Sequence, residues 1–247
     1  MLYWWFQNFT RIRVRLENVP GYDNTAVPAY WLWHPYDHVS ATLSGSLGAD
    51  GVAQSGAKIR IREAMQYDKY GWRYPVDNTL QVHYCEVDGW AMGKTIPVLG
   101  PAMMLRIHFK DVFRRGRRIG AHYHYEIVIG VSGDHRIAKW VNRKITRHFS
   151  PEFFEAWQTH NVIEVGTFEH FLPALFVQRD SGLNLKYSPL MSQAQMGSDA
   201  TGFDAELFKA RLASYAASTD PYLVQRFNGS SILNDETDDS TRHTGTK

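Results

Sequence analysis

Up to about residue 148, apolar and polar positions alternate with a period of two, the pattern of strands that bury one face. Arg11-Ile-Arg-Val-Arg-Leu16 alternates strictly, and so does Lys58-Ile-Arg-Ile-Arg62. With residues 80–87, 104–112, 121–130 and 136–145 they make about six candidate strands. Turn signals separate them: residues 45–56, Asp88-Gly89, Arg115-Gly116 and Ser132-Gly133-Asp134. Links this short favour antiparallel hairpins over the long crossovers of a parallel sheet.

The period then changes. Ser150-Pro151 reads as a helix start, with serine as N-cap and proline at the first helical position, and Pro173 reads as its stop, predicting a helix over 151–172. At 100° per residue, Phe153, Trp157, His160, Glu164, Phe168 and Phe171 fall in a stripe roughly 80° wide. A shorter amphipathic helix is expected over 203–218, and a polar, disordered tail over 228–247, leaving residues 1–227 as a single domain. Antiparallel strands followed by one long helix predict an α+β fold in which the helix packs across a curved sheet and can enclose a cavity.

Composition narrows the function classes. Lys+Arg 27 against Asp+Glu 25 gives a net charge of +2, which argues against a strongly basic nucleic-acid binder. No run reaches the ~18 apolar residues that a membrane span needs. The single cysteine, Cys85, excludes an internal disulfide and any cysteine-cluster metal site. Met1-Leu-Tyr-Trp-Trp-Phe-Gln7 is too polar and aromatic for a signal peptide, so a cytoplasmic protein is expected. The 14% of aromatic residues fits either ordinary core or the wall of an aromatic pocket.

Candidate chemistry sits on the long helix. His160 and Glu164 are one turn apart and lie inside the apolar stripe, where a lone carboxylate is costly to bury. Such a pair offers two ligands to a divalent ion; the plainer alternative is a helical His–Glu hydrogen bond at a surface. Trp33-His34-Pro35-Tyr36-Asp37-His38 could add one or two ligands. Glu63 shares the strand parity of Ile59 and Ile61, which would turn it inward; otherwise it is a strand-end carboxylate facing water.

Tyr3-Trp-Trp-Phe6, Tyr30-x-x-Trp33-x-Pro35-x-x-His38 and His160-x-x-x-Glu164-x-Gly166-x-Phe168-x-x-Phe171-Leu172-Pro173 resemble the 2,4-diacetylphloroglucinol hydrolase family, which includes phloretin hydrolase. The resemblance implies a helix-grip, Bet v 1-like fold: a curved antiparallel sheet of about six or seven strands wrapped on a long helix. It also implies a zinc-dependent hydrolase that cleaves the carbon–carbon bond between an acyl group and a phenolic ring. Carried over by position, the ligands of Zn2+ or another divalent metal fall on His38, His160 and Glu164, with Glu63 for the remaining carboxylate. Tyr30, Tyr123 and His108 match the residues that handle substrate and protons, and Trp33 and Trp157 are expected in the substrate-binding wall. Alternation alone groups His108 with Arg106 and Lys110, a set that ordinarily faces solvent.

Two departures bear on substrate. The chain starts almost at the Trp-Trp motif, without the N-terminal helical region some members use to dimerise, and Ala41 stands where the family can have asparagine. The expected partner is a small aromatic or polyketide-like substrate, not nucleic acid or membrane, with a homodimer left open. Competing readings are a cyclase or isomerase that uses the same pocket without net hydrolysis, and a non-catalytic binder of aromatic ligands.

Overall fold

The computed structural model describes residues 1–17, 26–34 and 36–187. In chain order the elements are α1 (Leu2–Asn8), β1 (Arg13–Leu16), β2 (Ala26–Pro28), α2 (Tyr30–Trp33), β3 (His38–Leu47), β4 (Ala53–Ala64), α3 (Tyr67–Tyr70), β5 (Pro75–Glu86), β6 (Gly89–Ile96), β7 (Gly100–Arg114), β8 (Arg117–Ile129), α4 (Arg136–Thr146), α5 (Pro151–Phe176) and β9 (Asn184–Tyr187). The expected helix over 203–218 and tail over 228–247 lie outside the described residues.

The fold is mixed α+β. Six strands form one sheet in the order β3-β4-β5-β6-β7-β8, each antiparallel to its neighbours. Alternation does what the sequence pattern predicts: in β4, Ala57, Ile59, Ile61 and Glu63 are buried while Lys58 and Arg60 face solvent. Hairpin chemistry sets the registers. The β7–β8 turn is Arg115-Gly116, with φ of 51° and 75°, the left-handed pair a two-residue turn of this hand requires.

The long helix is capped as expected, Ser150 Oγ accepting from the Phe153 N–H at 3.2 Å. It runs past the expected stop at Pro173 to Phe176. Proline forfeits one hydrogen bond there, but Phe171, Leu172, Ala174 and Leu175 are all buried around it, and that packing carries the helix through. Residues 136–145 correct the sequence reading: they form a helix, not a strand. His135 caps it by accepting from the Ala138 N–H, and Ala138, Val141 and Ile145 pack at helical spacing against Ala102 and Val131. The N-terminal segment is also helical, and residues 13–16 belong to a second sheet, β2-β1-β9, rather than the large one.

One aromatic cluster joins these parts. Phe6 stacks on Trp90 at 4.9 Å and on Phe109 at 5.4 Å, while Trp5 meets Phe171 edge-on at 5.0 Å. Helix α1 thereby fills one end of the space between sheet and α5 and leaves the other end open as a cavity. No helix among the described residues is long and apolar enough to cross a membrane.

Candidate metal centre

Two neighbouring strands and one helix turn converge on a single point. His38 opens β3 and is the direct cross-strand partner of Glu63 near the end of β4. His160 and Glu164 project from successive turns of α5. All four are buried, and their ligand-type atoms lie within 4.8 Å of one another, so this group can hold a metal ion. His38 Nε2 is 2.8 Å from Glu164 Oε1 and 3.5 Å from Glu63 Oε1; His160 Nε2 is 3.4 Å from Glu164 Oε1 and 4.0 Å from Glu63 Oε2.

The hydrogen bonds behind the cluster decide which nitrogens face it. His38 Nδ1 bonds the Tyr30 carbonyl at 2.8 Å, and a carbonyl only accepts, so Nδ1 carries the proton. His160 Nδ1 likewise bonds the Asp37 carboxylate at 2.8 Å. Both Nε2 atoms then present lone pairs to two carboxylates, and His38 Nε2 has no well-directed hydrogen bond despite its burial. Acceptors facing acceptors in a dry site require a cation between them, either a proton on an imidazole or a divalent ion. The donor set thus fits a metal.

Without an ion, protons take that place. Burial opposes charge on His160, but Glu164 and the hydrogen bond to Asp37 hold its pKa well above the ordinary histidine value. Burial also opposes charge on Glu164, yet His160 and His38 outweigh it and hold the carboxyl down at about 2. Glu63 goes the other way: burial raises it, and the nearby Glu164 adds to the rise.

Tyr30 braces two ligands at once. Its hydroxyl donates to Glu63 Oε1, and its ring stacks on His38 at 3.8 Å, nearly parallel at 5°. A second group, His34, Asp37 and His160, also brings ligand-type atoms together. Asp37 there already accepts the N–H groups of Gln66 and Tyr67 as well as His160, so this group is a hydrogen-bonded knot behind the centre.

Glu63, His160 and Glu164 line a cavity of about 210 Å³ between the inner face of the sheet and α5, and His38 lies against them, covered by Tyr30. Trp33, Trp90, Met92, Leu105, Tyr123 and Trp157 make up much of the remainder. The four expected ligands are therefore together, with Tyr30, Tyr123, Trp33 and Trp157 at the same cavity. His108 is not. On β7 the buried Ile107 and the half-buried Phe109 point inward, and His108 between them is exposed on the outer face of the sheet, opposite His124. Strand parity excludes it from the cavity, as alternation with Arg106 and Lys110 indicated.

Tyr125 and Asn161 went unnoticed in the sequence, although both line the cavity beside Glu164. Tyr125 sits two residues after Tyr123 and so shares its face of β8, a signal that was available. Burial and the Glu164 charge push both phenols well above their ordinary pKa, so both are protonated donors at neutral pH. Comparison with protein-family models, with curated proteins and with solved structures finds no match.

Proposed function

We propose that this protein is a zinc-dependent hydrolase of helix-grip architecture that cleaves the carbon–carbon bond between an acyl group and a phenolic, phloroglucinol-like ring or a 1,3-diketone. The observation that carries this reading is a buried set of two imidazoles and two carboxylates, three of which, Glu63, His160 and Glu164, line an aromatic cavity. The sequence motifs that resemble 2,4-diacetylphloroglucinol hydrolases include all but the loosest of these four ligands. Two imidazoles with two carboxylates suit zinc, with manganese or iron as chemically reasonable competitors.

His38, Glu63, His160 and Glu164 would hold the ion, which when bound supplies Lewis acidity and lowers the pKa of water. The chain's own residues do the rest. The apolar wall excludes bulk water and takes up an aromatic ring, with Trp33, Trp90 and Trp157 offering faces and edges for stacking. Tyr30 keeps Glu63 in place through its hydroxyl. Acyl–aryl cleavage adds water across the bond, so the ring carbon that loses the acyl group must gain a proton. Tyr123 and Tyr125 line the cavity with their phenols held protonated, so they would bind ring oxygens and supply the proton to the ring carbon that loses the acyl group. His108 drops out of this scheme because of its outward position.

The test is incubation of the metal-loaded protein with acylphloroglucinols and 1,3-diketones while carboxylic acid is measured. Acid release that stops with chelator and returns with zinc supports the proposal. A rearranged product without acid would replace it with a cyclase or isomerase, and ligand binding without turnover would replace it with a binding protein.

A further inference from the structure

We infer that Asp37, which does not belong to the ligand set, is the positioning residue that fixes His160 as a metal ligand, so that metal affinity depends on a carboxylate that never touches the ion. This inference rests on the metal-centre reading above. Asp37 is completely buried, and its carboxylate is saturated with donors. Oδ2 accepts the Gln66 N–H at 2.7 Å and His160 Nδ1–H at 2.8 Å; Oδ1 accepts the Tyr67 N–H at 2.9 Å. Its backbone is tied down as well, the carbonyl accepting from the Ala64 N–H at 2.9 Å and the N–H donating to His34 Nδ1 at 3.1 Å.

Those anchors are the informative part. Ala64 directly follows the ligand Glu63, and His38 directly follows Asp37, so one residue joins the strand ends that carry two ligands to the helix that carries the other two. His34 completes the support from behind. Its ring stacks on that of His160 at 4.5 Å and 10°, and its Nε2 lies 3.4 Å from Asp37 Oδ2. The His160 imidazole is therefore held in plane by a ring and in rotation by a charged acceptor, with Nδ1 protonated and Nε2 turned to the centre. Carboxylates placed behind ligating histidines in this way raise ligand basicity and set the tautomer.

Asp37→Asn tests this because an amide has one acceptor oxygen where the site needs two. Either orientation of the amide leaves a donor facing a donor, and in one of them the NH2 group meets His160 and favours the tautomer with a proton on Nε2. The expected result is a zinc affinity about 10- to 100-fold weaker than wild type, with the wild-type Nδ1–H signal of His160 shifted or lost in 1H–15N spectra. Asn142→Ala is the control for general destabilisation: it removes the side-chain bonds that tie α4 to Val131, far from the centre, and should leave zinc affinity unchanged.

Asp37→Asn binding zinc as wild type does, or weakening it no more than Asn142→Ala, would overturn the inference. If Asp37→Asn does not fold, zinc-loaded wild type decides. A His160 Nδ1–H resonance protected from exchange is expected, and zinc bonded to Nδ1 would contradict it. Failure of wild type to bind zinc at all would instead refute the metal-centre reading.

Discussion

The two faces of the large sheet use histidine in opposite ways. On the inner side, His34, His38 and His160 are almost fully buried, and each has its Nδ1 engaged by a named group: the Asp37 N–H, the Tyr30 carbonyl and the Asp37 carboxylate. On the outer side, His108, His122 and His124 of the β7–β8 hairpin are exposed, His108 opposite His124 and His122 opposite Lys110. A buried imidazole must have both nitrogens accounted for, whereas water satisfies an exposed one. Residue type therefore says little by itself. Strand parity and the partner of the second nitrogen separate a ligand from a solvated side chain.

The largest expected effect breaks the inner set. Glu164→Gln removes the carboxylate that approaches both Nε2 atoms and should abolish stoichiometric metal binding, checked by elemental analysis after dialysis. In the metal-free protein it also strands the neighbouring charge of His160, at a cost on the order of 3 kcal/mol by denaturant unfolding. His108→Ala on the outer face should leave metal content unchanged and shift stability by less than about 0.5 kcal/mol.

Apolar side chains sharpen the same contrast. Phe6→Ala, at the fully buried stack with Trp90 and Phe109, should cost about 3–5 kcal/mol. Phe113→Ala near the tip of the β7–β8 hairpin, where that ring is 63% exposed, should cost at most about 0.5 kcal/mol. Thermal or denaturant unfolding of the two variants side by side gives the comparison.

The pH response should separate metal-free from metal-loaded protein. His160 is held above its ordinary value against the effect of burial, chiefly by Glu164 and Asp37. Its contribution to metal-free stability is thus full below the ordinary histidine range and lost as pH rises through the raised value. Glu164, depressed to about 2 by His160 and His38 despite burial, contributes above the ordinary carboxylate range and loses that contribution as pH falls toward 2. Metal competes with the His160 proton, so apparent metal affinity should rise with pH and binding should release protons. Calorimetric titrations in buffers of different ionisation enthalpy measure that release. On the outer face, Arg60→Ala removes a 2.9 Å pair with Asp77 between half-exposed side chains and should cost about 0–1 kcal/mol, less at high salt.

Legibility in the sequence followed the range of the interactions. Glu63 could be placed inward because parity with Ile59 and Ile61 is local, and the start of α5 because Ser150-Pro151 is a local signal. His160 and Glu164 were legible as a pair because four residues is one helical turn. Residues 136–145 fit a helix better than a strand even in the sequence, because Ile137, Ala138, Trp140, Val141 and Ile145 split between both strand parities yet fall on one side of a helix; the His135 cap and the Asn142 bonds to Val131 fix it in place. His108 matches a motif position, but its strand parity puts it on the outer face, and parity is the local signal that holds. Asp37 could not be tied to His160 at all, since the two are 123 residues apart and only the packed fold brings them together.

Zinc content of wild type beside Glu164→Gln and His108→Ala bears on all of this at once. One ion per chain in wild type and in His108→Ala, with none retained in Glu164→Gln, is the predicted result. A wild-type protein that takes up no divalent metal and gains no thermal stability from it, or a Glu164→Gln protein that binds as well as wild type, would contradict it.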